Sequence, residues 1–368
     1  MSGEDEDPIL EAVVALVPPL LGALEALQFV ARHLHPPHLR ELVDTIAPRG
    51  EPLRPALERF RQTAWPDHLA FVRDRLDEAA TLALKALDGL NSAPESASGA
   101  FDAYRALRSF TRATEALYPL SPMLPAVSRF FLEEKARGDD ALLARLADRE
   151  ARAERTGILE ARNDKTTRGG FSLYVPETYD PAVAHPLIMA LHGGSGHGRD
   201  FLWSWLREAR TRGAILVSPT SLEDTWSLME PEADAANIER MLAFVREGWN
   251  VDAGHMLLTG MSDGGTFTYV SGLQAECSFT HLAPMSASFH PMLLSFMDAE
   301  RMKGLPVYIV HGALDWMFAA DMARSADEAL RGAGANVVYR EIADLSHTYP
   351  REENAAILDW LLSDRPAL

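Results

Sequence analysis

The chain has 368 residues, of which 47% are hydrophobic and 24% charged, and its formal net charge is −18. This length and composition are those of an ordinary globular protein with room for two domains. Most of the negative charge falls after residue 155, which argues against nucleic acid or an anionic membrane surface as a partner.

The N-terminal segment gives the first indication of compartment. The first eight residues are acidic, and no signal-peptide pattern follows them. The apolar run over residues 9–24 is interrupted by Glu11 and by two consecutive prolines, which argues against a membrane span. Cys277 is the only cysteine, so an intrachain disulfide is excluded and a buried, inert thiol is expected. We therefore expect a soluble cytoplasmic protein.

Residues 1–155 show apolar side chains at three- and four-residue spacing between Pro- and Gly-rich breakers. This pattern predicts an all-helical N-terminal domain over residues 1–155. His33, His35 and His38 cluster there, but no acidic partner stands at helical spacing, so a surface cluster is expected and no metal site. The sequence leaves open whether this domain is a cap over an active site, structural support or a surface for homodimerisation.

Residues 156–368 show a different pattern, in which short apolar strands alternate with amphipathic helices. Such alternation predicts right-handed βαβ units around a mainly parallel sheet, with ligand sites at the carboxyl ends of the strands. The predicted strands cover residues 157–161, 170–175, 186–191, 214–218, 255–259, 281–286, 306–310 and 336–341. We therefore expect an α/β domain over residues 156–368.

A serine motif follows the predicted strand over residues 255–259. Gly260-Met-Ser-Asp-Gly264 fits the pattern G-x-S-x-G, and a helix can begin at Thr266. A serine on a sharp strand-to-helix turn has a strained backbone, and glycine two residues to either side lets the chains approach closely. Because the bare pattern also arises by chance, its interpretation depends on the loops that share the same sheet edge.

A glycine-rich segment, Leu191-His-Gly-Gly-Ser-Gly-His-Gly198, follows another predicted strand. It lacks the lysine of a P-loop and the spacing of a dinucleotide-binding loop, which argues against a phosphate site. Such a loop can supply half of an oxyanion hole, and a loop shaped only by its turns is the alternative. His192 is expected to stabilise its own loop, with substrate contact as the alternative. The His192/His197 pair lacks an acid or a third histidine at suitable spacing, so no metal site is expected there.

Two later loops carry an acid and a histidine after predicted strands. Asp315 follows the strand over residues 306–310, where it can either orient a histidine or lie in a solvated loop. His347 lies between the last strand and the last helix. Asp344 is a rival acid, but only three residues from the histidine it is expected to shape the loop. Ser262, Asp315 and His347 thus occur in the chain order of an α/β-hydrolase triad.

Together these motifs resemble the α/β-hydrolase superfamily, and within it the bacterial phospholipase/carboxylesterase and polyhydroxybutyrate-depolymerase-like esterases. The resemblance covers residues 169–362 and rests on Leu173-Tyr-Val-Pro-Glu177, Leu191-His-Gly-Gly194, Gly260-Met-Ser-Asp-Gly-Gly265, His311-Gly-Ala-Leu-Asp315 and Ser346-His347. It implies an α/β-hydrolase fold preceded by the helical domain. It also implies that Ser262 is the nucleophile, His347 the general base and Asp315 its orienting acid. The backbone N–H groups of Gly194 and Asp263 would form the oxyanion hole, and no metal or organic cofactor is needed.

Asp263 is a departure from the pattern of these esterases, which often have Ala, Met or Gln at that position. Its N–H serves equally well, but its carboxylate is unfavourable beside a developing oxyanion unless it turns away. The helical domain is a second departure, because the minimal family fold has no counterpart to it.

Specificity is less clearly encoded than the triad. Trp226, Met261, Trp316 and His290 are candidate substrate-binding residues, with packing in the core as the alternative. We expect a serine carboxylesterase acting on short-to-medium acyl or aryl esters. A lysophospholipase or thioesterase, a polyester depolymerase or peptidase, and a non-catalytic scaffold that binds a partner through the helical domain are the alternatives.

Overall fold

The computed structural model describes residues 8–148 and 154–363, and the chain divides into two compact units, Met1–Leu132 and Glu133–Leu368. This division falls earlier than the boundary expected after residue 155. The backbone N–H of Glu133 donates to Thr211 Oγ1, and the Glu133 carboxylate pairs with Arg212. These contacts attach the segment that follows residue 132 to the second unit.

The first unit is entirely helical in its described part. Its helices are α1 (Pro8–His33), α2 (Leu39–Gly50), α3 (Leu53–Gln62), α4 (Ala70–Ser92), α5 (Gly99–Leu117) and α6 (Pro125–Phe130). From the sequence, residues 48–50, which contain a proline and a glycine, are expected to break a helix. Pro48 instead lies inside the helix, and Leu39, Leu42 and Ile46 bury one face at helical spacing.

Helix α1 runs without interruption through both of its prolines. Leu16, Leu20, Leu24 and Leu27 are fully buried, as expected of a core helix of this unit. Within the described residues α1 is the one helix whose length and apolar composition would suffice to cross a membrane.

The second unit contains one eight-stranded sheet. Its strands are β1 (Gly157–Ala161), β2 (Phe171–Val175), β3 (His185–Leu191), β4 (Ile215–Pro219), β5 (Val251–Met261), β6 (His281–Met285), β7 (Pro306–Gly312) and β8 (Asn336–Ile342). Its helices are α7 (Asp140–Ala147), α8 (Gly198–Phe201), α9 (Leu206–Arg212), α10 (Glu232–Gly248), α11 (Asp263–Gly272), α12 (Ala299–Met302), α13 (Ala320–Gly332) and α14 (Glu353–Leu361).

The strand order is β1-β2-β4-β3-β5-β6-β7-β8. Strands β1, β2 and β4 pair antiparallel, whereas β4, β3 and β5 to β8 form a continuous parallel sheet. Strands β3 and β4 are buried at every residue, which is why they appear in the sequence as continuous apolar runs. The predicted combination of an α/β-hydrolase fold with a preceding helical region is confirmed.

The register of the central strands brings their following loops to one edge. Leu191 at the end of β3 pairs with Gly260 near the end of β5, and Met261 pairs with Met285 at the end of β6. Because the parallel strands end together, the segments after β3, β5, β7 and β8 meet at this carboxyl edge.

Candidate active site

Ser262 occupies a tight turn between β5 and α11. Its φ of 56° and ψ of −121° are a strained conformation for a residue with a side chain. A Cβ at Gly260 would lie 2.5 Å from backbone atoms of Gly264, and a Cβ at Gly264 would lie 2.4 Å from the carbonyl oxygen of Leu191. Only glycine fits at both positions, so the G-x-S-x-G spacing has a steric cause.

Ser262, His347 and Asp315 form one hydrogen-bonded chain. The hydroxyl of Ser262 lies 3.0 Å from Nε2 of His347. Nδ1 of the same imidazole lies 2.8 Å and 3.0 Å from the two carboxylate oxygens of Asp315. The structure therefore brings together the three residues that the sequence singles out, although they are far apart in the chain.

Asp315 is held as a charged carboxylate. Burial opposes its ionisation, but hydrogen bonds from His347 and from the backbone N–H groups of Phe318 and Met317 outweigh that effect and lower its pKa. Both backbone bonds are 2.9 Å long. The rival acid, Asp344, is exposed, and the Nδ1 position that it would need is already bonded to Asp315.

His311 supports the same carboxylate from the end of β7, a role that sequence reasoning missed. Its Nε2–H donates to the carbonyl oxygen of Phe318 at 2.9 Å and lies 3.6 Å from Asp315 Oδ2. The ring of Phe318 in turn packs edge-on against His347, with 5.3 Å between centroids. His311 lies in the same short motif as Asp315, and its position before that acid could have predicted the contact between the two side chains.

Two backbone donors lie beside the serine. The loop after β3 approaches it closely, since a Cβ at Gly193 would come within 3.4 Å of the Ser262 Cβ. In the described parts of the chain, the N–H groups of Gly194 and Asp263 have no hydrogen-bond acceptor. Asp263 is also the first residue of α11, where unpaired N–H groups and the helix dipole favour negative charge.

His192 fixes the shape of the glycine-rich loop from within. Its Nδ1 lies 2.7 Å from the carbonyl oxygen of Gly193, and its Nε2 accepts the N–H of Ser221 at 3.1 Å. One nitrogen donates and the other accepts, as in a neutral imidazole. Burial lowers the pKa of His192 to about 3, so the neutral form persists.

Trp226 is corrected from a substrate contact to a supporting residue. Its side chain is 2% exposed and lies within the apolar core of the second unit. The indole N–H donates to the carbonyl oxygen of His192 at 2.8 Å, and the ring packs against His192 and Phe267. The surrounding residues 220–230 are mostly polar, so exposure is expected from the sequence, but the loop folds the indole inward.

The segment after β4, residues 220–231, is the β4 loop, and it anchors the glycine-rich loop. The carbonyl oxygen of Asp224 accepts the N–H of Ser195 at 3.1 Å. Arg168 donates to the carbonyl oxygen of Gly196 at 2.8 Å and to that of Glu223. These contacts join residues far apart in the sequence, so no local pattern indicated them.

The other three candidate substrate-binding residues lie at the same carboxyl edge of the sheet but differ in solvent exposure. Met261 is half-buried at the end of β5, and Trp316 is exposed directly after Asp315. His290 is exposed, and its Nδ1 accepts the N–H of Met292 at 3.1 Å, which caps the turn that follows. Substrate contact by these three residues stays a prediction.

A mainly parallel sheet with a serine on its central strand-to-helix turn, bonded to a histidine and an acid from later loops, defines an α/β-hydrolase. The second unit therefore has an α/β-hydrolase fold, with a serine, a histidine and an acid in the arrangement typical of its esterases.

No protein-family profile matches the chain. It is 31% identical over 123 residues to feruloyl esterase C of Emericella nidulans, covering 32% of this chain and 45% of that protein. It is 27% identical over 167 residues to acyl-protein thioesterase 1 of Neurospora crassa, covering 44% of this chain and 60% of that protein. The chain thus spans about half the length of these two curated relatives. Acyl-protein thioesterase 2 of Zea mays aligns in structure with a TM-score of 0.45 and 16% identity, over 53% of this chain and 98% of that one.

Proposed function

We propose that this protein is a serine carboxylesterase that hydrolyses short-to-medium acyl or aryl esters through an acyl-enzyme on Ser262. The observation that carries the proposal is the continuous chain from Asp315 through His347 to the Ser262 hydroxyl, next to two unpaired N–H donors. A nucleophile, a base, an orienting acid and an oxyanion site are the parts that acyl transfer requires.

In the first step, Ser262 Oγ attacks the ester carbonyl carbon while His347 Nε2 takes the hydroxyl proton. Asp315 keeps the Nδ1–H tautomer in place and stabilises the imidazolium that forms. The carbonyl oxygen becomes an oxyanion bound by the N–H groups of Gly194 and Asp263. Each such donor contributes about 3–4 kcal/mol to transition-state stabilisation.

In the second step, the imidazolium returns its proton to the leaving alcohol and the C–O bond breaks, which leaves the acyl group on Ser262. Water then attacks the acyl-enzyme with His347 again as general base, and the acid product leaves. Neither step needs a metal or an organic cofactor.

Two features support an apolar acyl or aryl substrate. Trp316 is 42% exposed and Met317 48% exposed, and both directly follow the triad acid. They offer an exposed apolar surface next in the chain to Asp315, the acid that bonds to His347. The curated feruloyl esterase supports an ester substrate, and the curated acyl-protein thioesterase favours a thioester as the second candidate.

The test is turnover of p-nitrophenyl acetate and p-nitrophenyl butyrate by the wild type and by Ser262→Ala. We expect the variant to lose activity by about 10⁵-fold or more, because the covalent step has no other nucleophile. Equal turnover by the two proteins would remove Ser262 from the mechanism, whereas no turnover by either protein would favour the scaffold alternative. A parallel series of matched esters and thioesters separates the two candidate substrates.

The role of the helical unit and the cytoplasmic location stay predictions. Sedimentation of the full-length protein over a range of concentrations tests the homodimer. A mass of one chain at every concentration contradicts dimerisation and leaves the cap and the structural support as its candidate roles.

A further inference from the structure

We propose that Thr225 is a positioning residue that fixes the carboxylate of Asp263 beside Gly194, so that the carboxylate does not bond to the oxyanion donors. The proposal rests on the proposed function, and it explains how this chain tolerates an acidic residue directly after the nucleophile. Thr225 lies in the β4 loop, and no sequence motif points to it.

Asp263 presents an electrostatic conflict. Its backbone N–H is one of the two proposed oxyanion donors, whereas its side chain is a carboxylate. Two like charges repel most strongly where water is scarce, and Asp263 is half-buried. A carboxylate free to approach the oxyanion would therefore raise the barrier that the N–H groups lower.

The carboxylate has one specific partner. Thr225 Oγ1 donates to Asp263 Oδ2 at 2.6 Å. Across the described residues this hydroxyl is the sole hydrogen-bond donor to the Asp263 side chain. The bond is short and charge-assisted, which is the stronger class of hydrogen bond.

The space beside the carboxylate shows why the restraint matters. A Cβ built at Gly194 would lie 2.8 Å from Asp263 Oδ2, so the carboxylate lies directly against the glycine that supplies the other donor. Once released from Thr225, the carboxylate would find the unpaired N–H of Gly194 as a neighbouring donor. It would then compete with the substrate oxygen for that N–H.

Thr225 can act as a fixed support because both of its neighbours are anchored. The carbonyl oxygen of Asp224 accepts the N–H of Ser195, and the indole of Trp226 donates to His192. The hydroxyl is therefore held by the same loop that shapes the oxyanion side of the site.

Three variants are expected to change the rate of ester hydrolysis in different directions. Thr225→Val should lower kcat and kcat/KM together by about tenfold, with KM little changed, because the repulsion acts on the transition state. Thr225→Ser keeps the hydroxyl and should restore the rate. Asp263→Asn removes the charge but keeps the backbone N–H, and should raise kcat about threefold.

The decisive experiment is a double-mutant cycle with p-nitrophenyl butyrate. We expect Thr225→Val to cause little further change in the Asp263→Asn background, because no charge remains to be held. An equal loss in both backgrounds would overturn the proposal and make Thr225 a merely structural residue. Thr225→Ala repeats the cycle if the valine variant is unfolded, with the thermal midpoint as the folding check.

Two controls separate this proposal from the proposed function. Thr45→Val removes a hydroxyl from the first unit, where it bonds to the Glu41 carbonyl oxygen, and should leave the rate unchanged. Labelling of Ser262 by a fluorophosphonate probe tests the nucleophile by itself. An unlabelled Ser262 contradicts both proposals, whereas a labelled Ser262 with additive effects in the cycle contradicts the Thr225 role alone.

Discussion

The two units differ in where they place their charged groups. In the described part of the first unit the buried polar residues all carry hydroxyl groups: Ser109, Thr114, Ser121 and Ser128. Its described ion pairs are partly or fully exposed, and both side chains of Arg54–Asp88 are exposed. The second unit instead buries the pair Glu177–Arg210 and several histidines and acids.

Burying a charged or polar group costs free energy of folding unless all of its hydrogen bonds are made. Buried polar groups are therefore found where they fix the geometry of a site. In the second unit, His192, His311, Asp315 and His347 are buried at the carboxyl edge around Ser262. The first unit is built from apolar helix packing with a solvated charged surface. The contrast indicates that the candidate active site lies wholly in the second unit.

The largest effect is expected at the triad acid. Asp315→Asn should lower kcat/KM by about 10⁴-fold, because the amide no longer holds the Nδ1–H tautomer of His347. Asp344→Asn is the matched control, since that residue is exposed in the same region, and it should stay near the wild-type rate. The reverse result in an ester assay would reassign the acid.

Breaking a buried ion pair should destabilise the second unit. Arg210 Nε lies 3.1 Å from Glu177 Oε1, and both side chains are almost inaccessible. Arg210→Met leaves the buried Glu177 carboxylate without its cationic partner, with Tyr174 still donating to it, and should cost about 3–5 kcal/mol. Denaturant unfolding measures the loss, and a change below that of a surface pair would contradict the contrast between the units.

The neutral His192 should make the second unit sensitive to acid. Its pKa in the folded protein is about 3, below the ordinary value of 6.5. The stabilising contribution is therefore fully present above pH 6.5 and is lost as the pH falls toward 3. Lowering the pH from 6.5 to 5 should cost on the order of 2 kcal/mol at this residue.

Urea unfolding at several pH values tests this sensitivity. His192→Gln should flatten the pH dependence below 6.5, whereas His68→Gln, at an exposed position of the first unit, should leave it unchanged. Parallel curves for the wild type and His192→Gln would contradict the assignment.

The smallest effect is expected on the surface of the first unit. Arg54 and Asp88 form an ion pair with side chains 56% and 58% exposed. Arg54→Met should change the free energy of unfolding by less than about 1 kcal/mol, because water already solvates both charges. A loss as large as that of Arg210→Met would remove the distinction between buried and exposed pairs.

The sequence was sufficient to predict features that depend on local sterics. Ser262 was identifiable because glycines flank it at the spacing that a tight turn demands, and Asp315 and His347 because they follow strands in the expected order. Thr225 and Arg168 were not, because their partners lie far away in the chain. Trp226 was misassigned because a polar loop predicts exposure, whereas tertiary packing decides the direction of one side chain.

The most direct measurement is peptide mass spectrometry of full-length protein quenched in acid during turnover of p-nitrophenyl butyrate. The mechanism predicts one butyryl group on the peptide that contains Ser262, and none in the His347→Ala protein under the same conditions. Turnover with the butyryl group on another residue, or with no acylated peptide at any time point, would contradict an acyl-enzyme on Ser262.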